Sequence, residues 1–218
     1  GGPDRAVMGG YDPTSPFTAL AWPMWAFVSV VMVAFIAQSV QFRAPGVTMS
    51  TLSGTVLAIT YVGLLGSFVL QFRWLSPQFG ILPLAMLVAT AKGADIGAYT
   101  MGRIAGRHKL WPRLSPNKTI EGAIGGLIFG VLGASLVLLV SRGLLHKPLL
   151  TWPEAVGFGV VVGSAAQLGD LMESMIKRDC ERKDSSATLP GFGGVLDLVD
   201  SLLFAGPVAL GYWLVLGP

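Results

Sequence analysis

The chain has 218 residues, 52% of them hydrophobic and only 12% charged, with a mean hydropathy of +0.65. A soluble domain carries about 25% charged residues, so too few polar side chains exist to cover a water-facing surface, and the same balance excludes disorder. An all-α polytopic integral membrane protein with about six transmembrane helices remains. The net charge of +3 is small, and the basic residues sit in loops between apolar stretches, which argues for membrane topology and against nucleic acid. The 29 Gly suit close helix packing in lipid, and with no period of three they exclude collagen. The single Cys180 forbids an intrachain disulfide.

Charges punctuate the chain. It begins Gly1-Gly2, and the apolar run that starts near Phe17 is too long for a signal peptide. Six spans are expected at about 17–38, 51–72, 79–101, 120–141, 154–177 and 195–216, each near the roughly 20 residues that cross a bilayer. They must be helices, because lipid leaves no other partner for the backbone. Pro23, Pro83 and Pro207 are expected to kink spans one, three and six. The loops after spans one, three and five carry Arg43, then Arg103, Arg107, Lys109, Arg113 and Lys118, then Lys177, Arg178, Arg182 and Lys183. The opposite side has Arg5, Arg73, Arg142 and Lys147. The richer side is predicted to be cytoplasmic, with both termini across the membrane.

Gly126-x-x-x-Gly130 and Gly159-x-x-x-Gly163 read as small-residue packing faces. The six Trp residues, mostly near span ends, read as an aromatic belt. No internal repeat, dinucleotide fingerprint or Walker lysine motif is present. His108 and His146 fall in opposite loops without zinc-ligand spacing, and no Gly-x-Ser-x-Gly elbow supports a serine hydrolase.

Nineteen of the 27 charged residues lie in two windows, 92–121 and 170–200, both touching the predicted cytoplasmic side. In the second, Asp170, Glu173, Ser174 and Lys177 share one helical face, and Asp197, Asp200 and Ser201 share another. Acidic groups at a membrane helix end are costly unless paired, hydrated or metal-bound. Two facing carboxylate helices can hold a divalent cation, and oxygen-only ligands suit Mg²⁺. The alternative is interfacial salt bridges to Lys177, Arg178 and Lys183. Between the two faces, Pro190-Gly191-Phe192-Gly193-Gly194 leads into span six; it is a flexible turn or a backbone cradle for phosphate. In the first window, Lys92, Asp95 and Tyr99 share a face, where acid and base either neutralise each other or serve a site. Ser115-Pro116-Asn117-Lys118-Thr119 forms a turn in which Thr119 can cap the next helix. That places Lys118 at a helix N-terminus, suited to phosphate or triphosphate. Glu121 complements the helix dipole.

The pattern Ser174-Met-Ile-Lys177-Arg178-x4-Lys183-Asp184-x-Ser186-x2-Leu189-Pro190-x-Phe192-Gly193-Gly194-Val-x-Asp197-x-x-Asp200 resembles the signature of phosphatidate cytidylyltransferases, also called CDP-diacylglycerol synthases. Gly169-Asp170-x-x-Glu173-Ser174, Asp95-x-x-Ala98-Tyr99, Gly102-Arg103 and Ser115-Pro116-Asn117-Lys118-Thr119-x-Glu121-Gly122 resemble other segments of that family. The likeness covers about 80–216. The family usually has His where this chain has Phe192, and Arg where it has Leu198. Members often carry further N-terminal spans, some of which are expected to be missing here.

The resemblance implies transfer of CMP from CTP to phosphatidate, giving CDP-diacylglycerol and pyrophosphate. It implies Asp170 and Asp197 as leading Mg²⁺ ligands, with Asp200 and Glu173 beside them, and a second cation is natural where so many carboxylates converge. Lys177, Arg178 and Lys183 would hold phosphates, with Asp184 orienting the lysines or a metal-bound water. Ser115, Asn117, Lys118 and Thr119, with Gly193, Gly194, Asp95 and Tyr99, would bind nucleotide or headgroup, and Arg103 and Arg107 would attract anionic lipid. A homodimer in a bacterial inner membrane, with its site facing the cytoplasm, is part of the same expectation. Residues 1–78 would be a leader and two spans, and 79–218 the catalytic membrane domain with two cytoplasmic polar loops. The rivals are a CTP-dependent lipid kinase or CDP-archaeol synthase, and, from another class, an ion-coupled transporter using Lys92 and Asp95.

Overall fold

Charge-free runs between charged punctuation become helices, as a lipid environment demands. The computed structural model describes residues 16–42, 46–73, 79, 81–143, 146, 149–182, 185–186 and 194–216, with side chains from residue 21 onward. The helices are α1 (Pro16–Gln41), α2 (Thr48–Ala58), α3 (Leu65–Gln71), α4 (Leu82–Ala105), α5 (Ile120–Gly143), α6 (Trp152–Asp179) and α7 (Val195–Leu216). A π-helical segment, Ile59–Leu64, joins α2 to α3 within one continuous helix, Thr48–Gln71. Five stretches are long and apolar enough to cross a membrane: Ala21–Gln41, Thr48–Gln71, α5, α6 and α7. The chain is an integral membrane protein.

The third expected span, α4, is not among those five. Its 24 residues reach about 36 Å at 1.5 Å per residue, so length is not what sets it apart. It contains Lys92, Asp95 and Arg103, and it buries Met86, Leu87, Ala91 and Ala94 against the other helices. A helix packed against α5, α6 and α7 can carry polar groups on its protein-facing side. By contrast α1 turns Trp22, Trp25, Val33, Phe35 and Ile36 outward, the surface expected of a lipid-facing helix.

Packing of α4 on α5 is the most extensive contact in the fold. It is close because the facing residues lack side chains. A Cβ on Gly97 would lie 2.5 Å from the Gly125 carbonyl oxygen and 2.5 Å from Phe129 Cβ, so only Gly fits there. The two Gly-x-x-x-Gly faces are used in the same way within the chain. A Cβ on Gly126 would sit 2.7 Å from Gln167 Nε2, and one on Gly159 2.5 Å from Val131 Cα.

Three expectations change. Pro83 does not kink a span; it lies in the first turn of α4, where the missing N–H has no helical partner to lose. Pro23 and Pro207 do lie inside α1 and α7. Trp213 is buried in the core, edge-on to Phe79 at 6.4 Å, rather than at an interface. The loop between α4 and α5 is not irregular: β1 (Lys109–Trp111) and β2 (Ser115–Thr119) form an antiparallel hairpin pairing Lys109 with Thr119 and Trp111 with Ser115. This hairpin contacts α6, and it brings the two charged windows to one end of the bundle.

Candidate active site

The hairpin is fixed where it enters α5. Thr119 Oγ1 accepts the Gly122 N–H at 3.1 Å, the helix cap expected from its sequence position. Glu121 does more than complement the dipole. Its carboxylate accepts the Arg107 N–H at 3.1 Å and the His108 N–H at 3.2 Å, and its Oε1 lies 2.6 Å from His108 Nδ1. The backbone N–H of Ile120 donates to the His108 carbonyl at 2.9 Å. The loop is therefore closed on itself, with Ser115, Asn117 and Lys118 held along β2.

Lys118 Nζ lies 2.8 Å from Asp170 Oδ2 on α6. This ion pair sits in the wall of a cavity of about 480 Å³, within the size range of small-molecule sites. Its lining takes Asp95, Tyr99 and Arg103 from α4, Ser115, Asn117, Lys118 and Thr119 from β2, and Gln167 and Asp170 from α6. Arg103 Nη1 donates to the Tyr99 hydroxyl at 3.1 Å. Gln167 Nε2 donates to the Ala123 carbonyl at 3.1 Å, bracing α6 against α5.

Asp170 also belongs to an acidic cluster. Oxygen atoms of Asp170, Glu173 and Asp200 all fall within 4.8 Å of one another. Glu173 is 1% exposed and Asp200 6%. Around one octahedral Mg²⁺, given ligand distances of about 2.0–2.1 Å, neighbouring oxygens stand about 3 Å apart and opposite ones about 4.2 Å, so the three carboxylates would have to draw together by about 1–2 Å to hold one ion. The donor set is all oxygen, which suits a hard ion. Lys177 Nζ bridges Glu173 Oε2 at 2.6 Å and Asp197 Oδ1 at 2.8 Å.

Asp197 stands outside that trio. Its Oδ2 accepts hydrogen bonds from Ser185 N–H at 3.0 Å, Ser185 Oγ–H at 2.7 Å and Gly194 N–H at 2.6 Å. It ties the turn ahead of α7 to Lys177. Gly194 is confined there, since a Cβ would collide with Ser185 Oγ. Ser201 is fully buried and completes a separate triad: Lys92 Nζ donates to Asp95 Oδ2 at 2.8 Å and to Ser201 Oγ at 3.0 Å, and Ser201 Oγ–H donates to Asp95 Oδ2 at 2.9 Å.

The structure thus gathers Asp95, Tyr99, Ser115, Asn117, Lys118, Thr119 and Asp170 around one cavity; Asp170 also groups with Glu173 and Asp200, and Lys177 links Glu173 to Asp197. Arg178 is exposed at the end of α6. Lys183, Asp184 and Gly193, with Pro190 and Phe192, lie outside the described residues. Gln167, Ser201 and the Glu121–His108 pair were not singled out as site residues by their sequence pattern. Gln167, a lone amide in an apolar run, Ser201, on the helical face of Asp197 and Asp200, and Glu121, in the first turn of a helix, each carried a local signal.

Residues 12–216 match the model of the cytidylyltransferase family. The chain is similar to the phosphatidate cytidylyltransferase of Bacillus subtilis, 39% identical over 151 residues, covering 69% of this chain and 54% of that protein. It is similar to those of Staphylococcus saprophyticus, 39% identical with 70% and 55% covered, and Thermotoga maritima, 32% identical with 91% and 68% covered. The chain spans about half the length of the Bacillus and Staphylococcus proteins.

Proposed function

Because the chain belongs to the cytidylyltransferase family, we propose that it transfers CMP from CTP to phosphatidate, giving CDP-diacylglycerol and pyrophosphate for phospholipid biosynthesis. The observation that carries this reading is the Lys118–Asp170 ion pair at 2.8 Å. It joins a phosphate-suited lysine at a helix start to a cluster of cation-suited carboxylates, in one cavity.

The attacking oxygen of phosphatidate is anionic at neutral pH, so no strong general base is needed. A bond forms from that oxygen to the α-phosphorus of CTP, the bond to the bridging β-phosphate oxygen breaks, and pyrophosphate leaves. The obstacle is repulsion between two anions. A divalent cation, taken here to be Mg²⁺, offsets that repulsion and the charge developing on the phosphates when bound. Asp170, Glu173 and Asp200 are the residues that would hold it. Lys118, with the N-terminus of α5 behind it, draws the triphosphate. Ser115, Asn117 and Thr119 orient phosphates along β2, and Arg103 attracts anionic headgroups at the rim. Lys177 keeps Glu173 and Asp197 together, and Asp197 holds the turn that opens α7.

A site at the cytoplasmic face of a bacterial inner membrane lets soluble CTP meet a membrane lipid without either changing phase. A homodimer is part of this reading, formed through faces other than Gly126, Gly130, Gly159 and Gly163. The transporter alternative draws no support from Lys92 and Asp95, which bind each other and Ser201. A lipid kinase or archaeol-type synthase is separated by substrate competition. The deciding test is formation of CDP-diacylglycerol by purified protein from CTP and phosphatidate, arrested by EDTA and restored by Mg²⁺. Absence of product across Mg²⁺, Mn²⁺ and several detergents would overturn the reading.

A further inference from the structure

Tyr61 belongs to the second membrane helix, far in sequence from both charged windows. It lies in the π-helical segment Ile59–Leu64, the only such segment among the described residues. A π turn inserts a residue into the helical repeat and is frequent at functional sites. Here Tyr61 is 7% exposed while its neighbours Val62 and Gly63 are exposed. Its ring packs on Phe204 of α7, with centroids 6.1 Å apart. Phe204 is one turn beyond Asp200, and α6 meets α7 at the same level: a Cβ on Gly169 would lie 2.8 Å from the Asp200 carbonyl oxygen and 2.9 Å from Phe204 Cβ. The ring therefore packs on the face of α7 that carries Asp200, one helical turn from the acidic cluster. The Tyr61 hydroxyl is buried and has no hydrogen-bond partner among the described residues. A buried tyrosine hydroxyl normally has one; Glu173 Oε1 is likewise buried without a hydrogen-bond partner among the described residues, while Oε2 pairs with Lys177.

We propose that Tyr61 is a positioning residue of the acidic site, its hydroxyl donating to the oxygen shell, carboxylate or water, of a divalent cation held by Asp170, Glu173 and Asp200. This rests on the cation reading given above. Such outer-shell donors fix the orientation of the ligands, and their loss costs about 10–100-fold in metal affinity or activity. The inference also extends the site to a span that the sequence resemblance did not cover.

The test is thermal unfolding of the full chain in detergent across a titration of Mg²⁺, repeated with Mn²⁺. Tyr61→Phe keeps the ring against Phe204 and removes only the hydroxyl. It is expected to leave the cation-free Tm unchanged and to raise the half-saturating cation concentration by about 10-fold or more. Phe204→Leu keeps the hydroxyl and removes the ring partner. It should lower the cation-free Tm and leave the half-saturating concentration unchanged. The proposal is overturned if Tyr61→Phe titrates like the wild type, if both variants shift equally, if Tyr61→Phe fails to fold, or if no cation stabilises the wild type. Product formation is scored separately. CDP-diacylglycerol made by a Tyr61→Phe protein with wild-type cation dependence defeats this inference alone. A cation shift lost in Tyr61→Phe, in a protein that makes no product, defeats the proposed activity alone.

Discussion

Lys118 is the residue on which the two halves of the site depend. Its ammonium reaches from β2 to Asp170, and the lysine and aspartate side chains are 24% and 40% exposed. Asp170 is thus wet enough to exchange a lysine for a cation. Lys118→Met keeps the aliphatic stem and deletes the charge. Its expected effect is a rise of about 10-fold or more in KM for CTP, with the protein still folded, because a charged contact to phosphate is lost while Asp170 stays solvated. Steady-state kinetics with varied CTP checks this; an unchanged KM removes Lys118 from the nucleotide side. Most of these residues were legible in sequence because charge is so scarce that any carboxylate within a span demands an explanation. Which carboxylates converge was not legible. Asp170, Glu173, Asp197 and Asp200 all satisfy helical spacing. Only the crossing of α6 and α7 decides that the first, second and fourth share a centre, while Asp197 binds Ser185 and Gly194.

At the scale of elements, α4 is the axis of the fold, and glycine makes it so. Gly97→Ala would push a methyl group against the Gly125 carbonyl and Phe129, each 2.5 Å away. Backbone oxygen cannot move aside as a flexible side chain can, so a loss of about 1–3 kcal/mol in stability is expected. Detergent melting measures it, and a Tm equal to the wild type would show that the helices part without cost. The helices themselves were readable from charge-free runs to within a few residues. The hairpin and the π segment were not. Ser115-Pro116-Asn117-Lys118-Thr119 has the composition of a turn, and it becomes a strand because Glu121 and the Ile120 N–H pull the His108 region alongside it. The π segment reads as ordinary apolar helix, since nothing in local propensity marks an extra residue per turn.

For the whole molecule, Cys180 reports on orientation in the membrane. It is the chain's single cysteine, exposed, three residues beyond Lys177 at the end of α6 that bears the site. If the basic loops face the cytoplasm, a membrane-impermeant maleimide labels Cys180 in inverted vesicles and not in right-side-out ones. The opposite pattern would reverse the topology. Closure of the α4–α5 loop by Glu121, His108 and Ile120 has one further effect. A free loop in that position would have to be ordered at each nucleotide encounter, at about 1–2 kcal/mol per residue immobilised. Here that entropy is lost once, when the chain folds. On the function proposed above, a nucleotide reaching Lys118 would meet a socket that is already set, and its affinity would reflect charge and shape with little deduction for reorganising the protein.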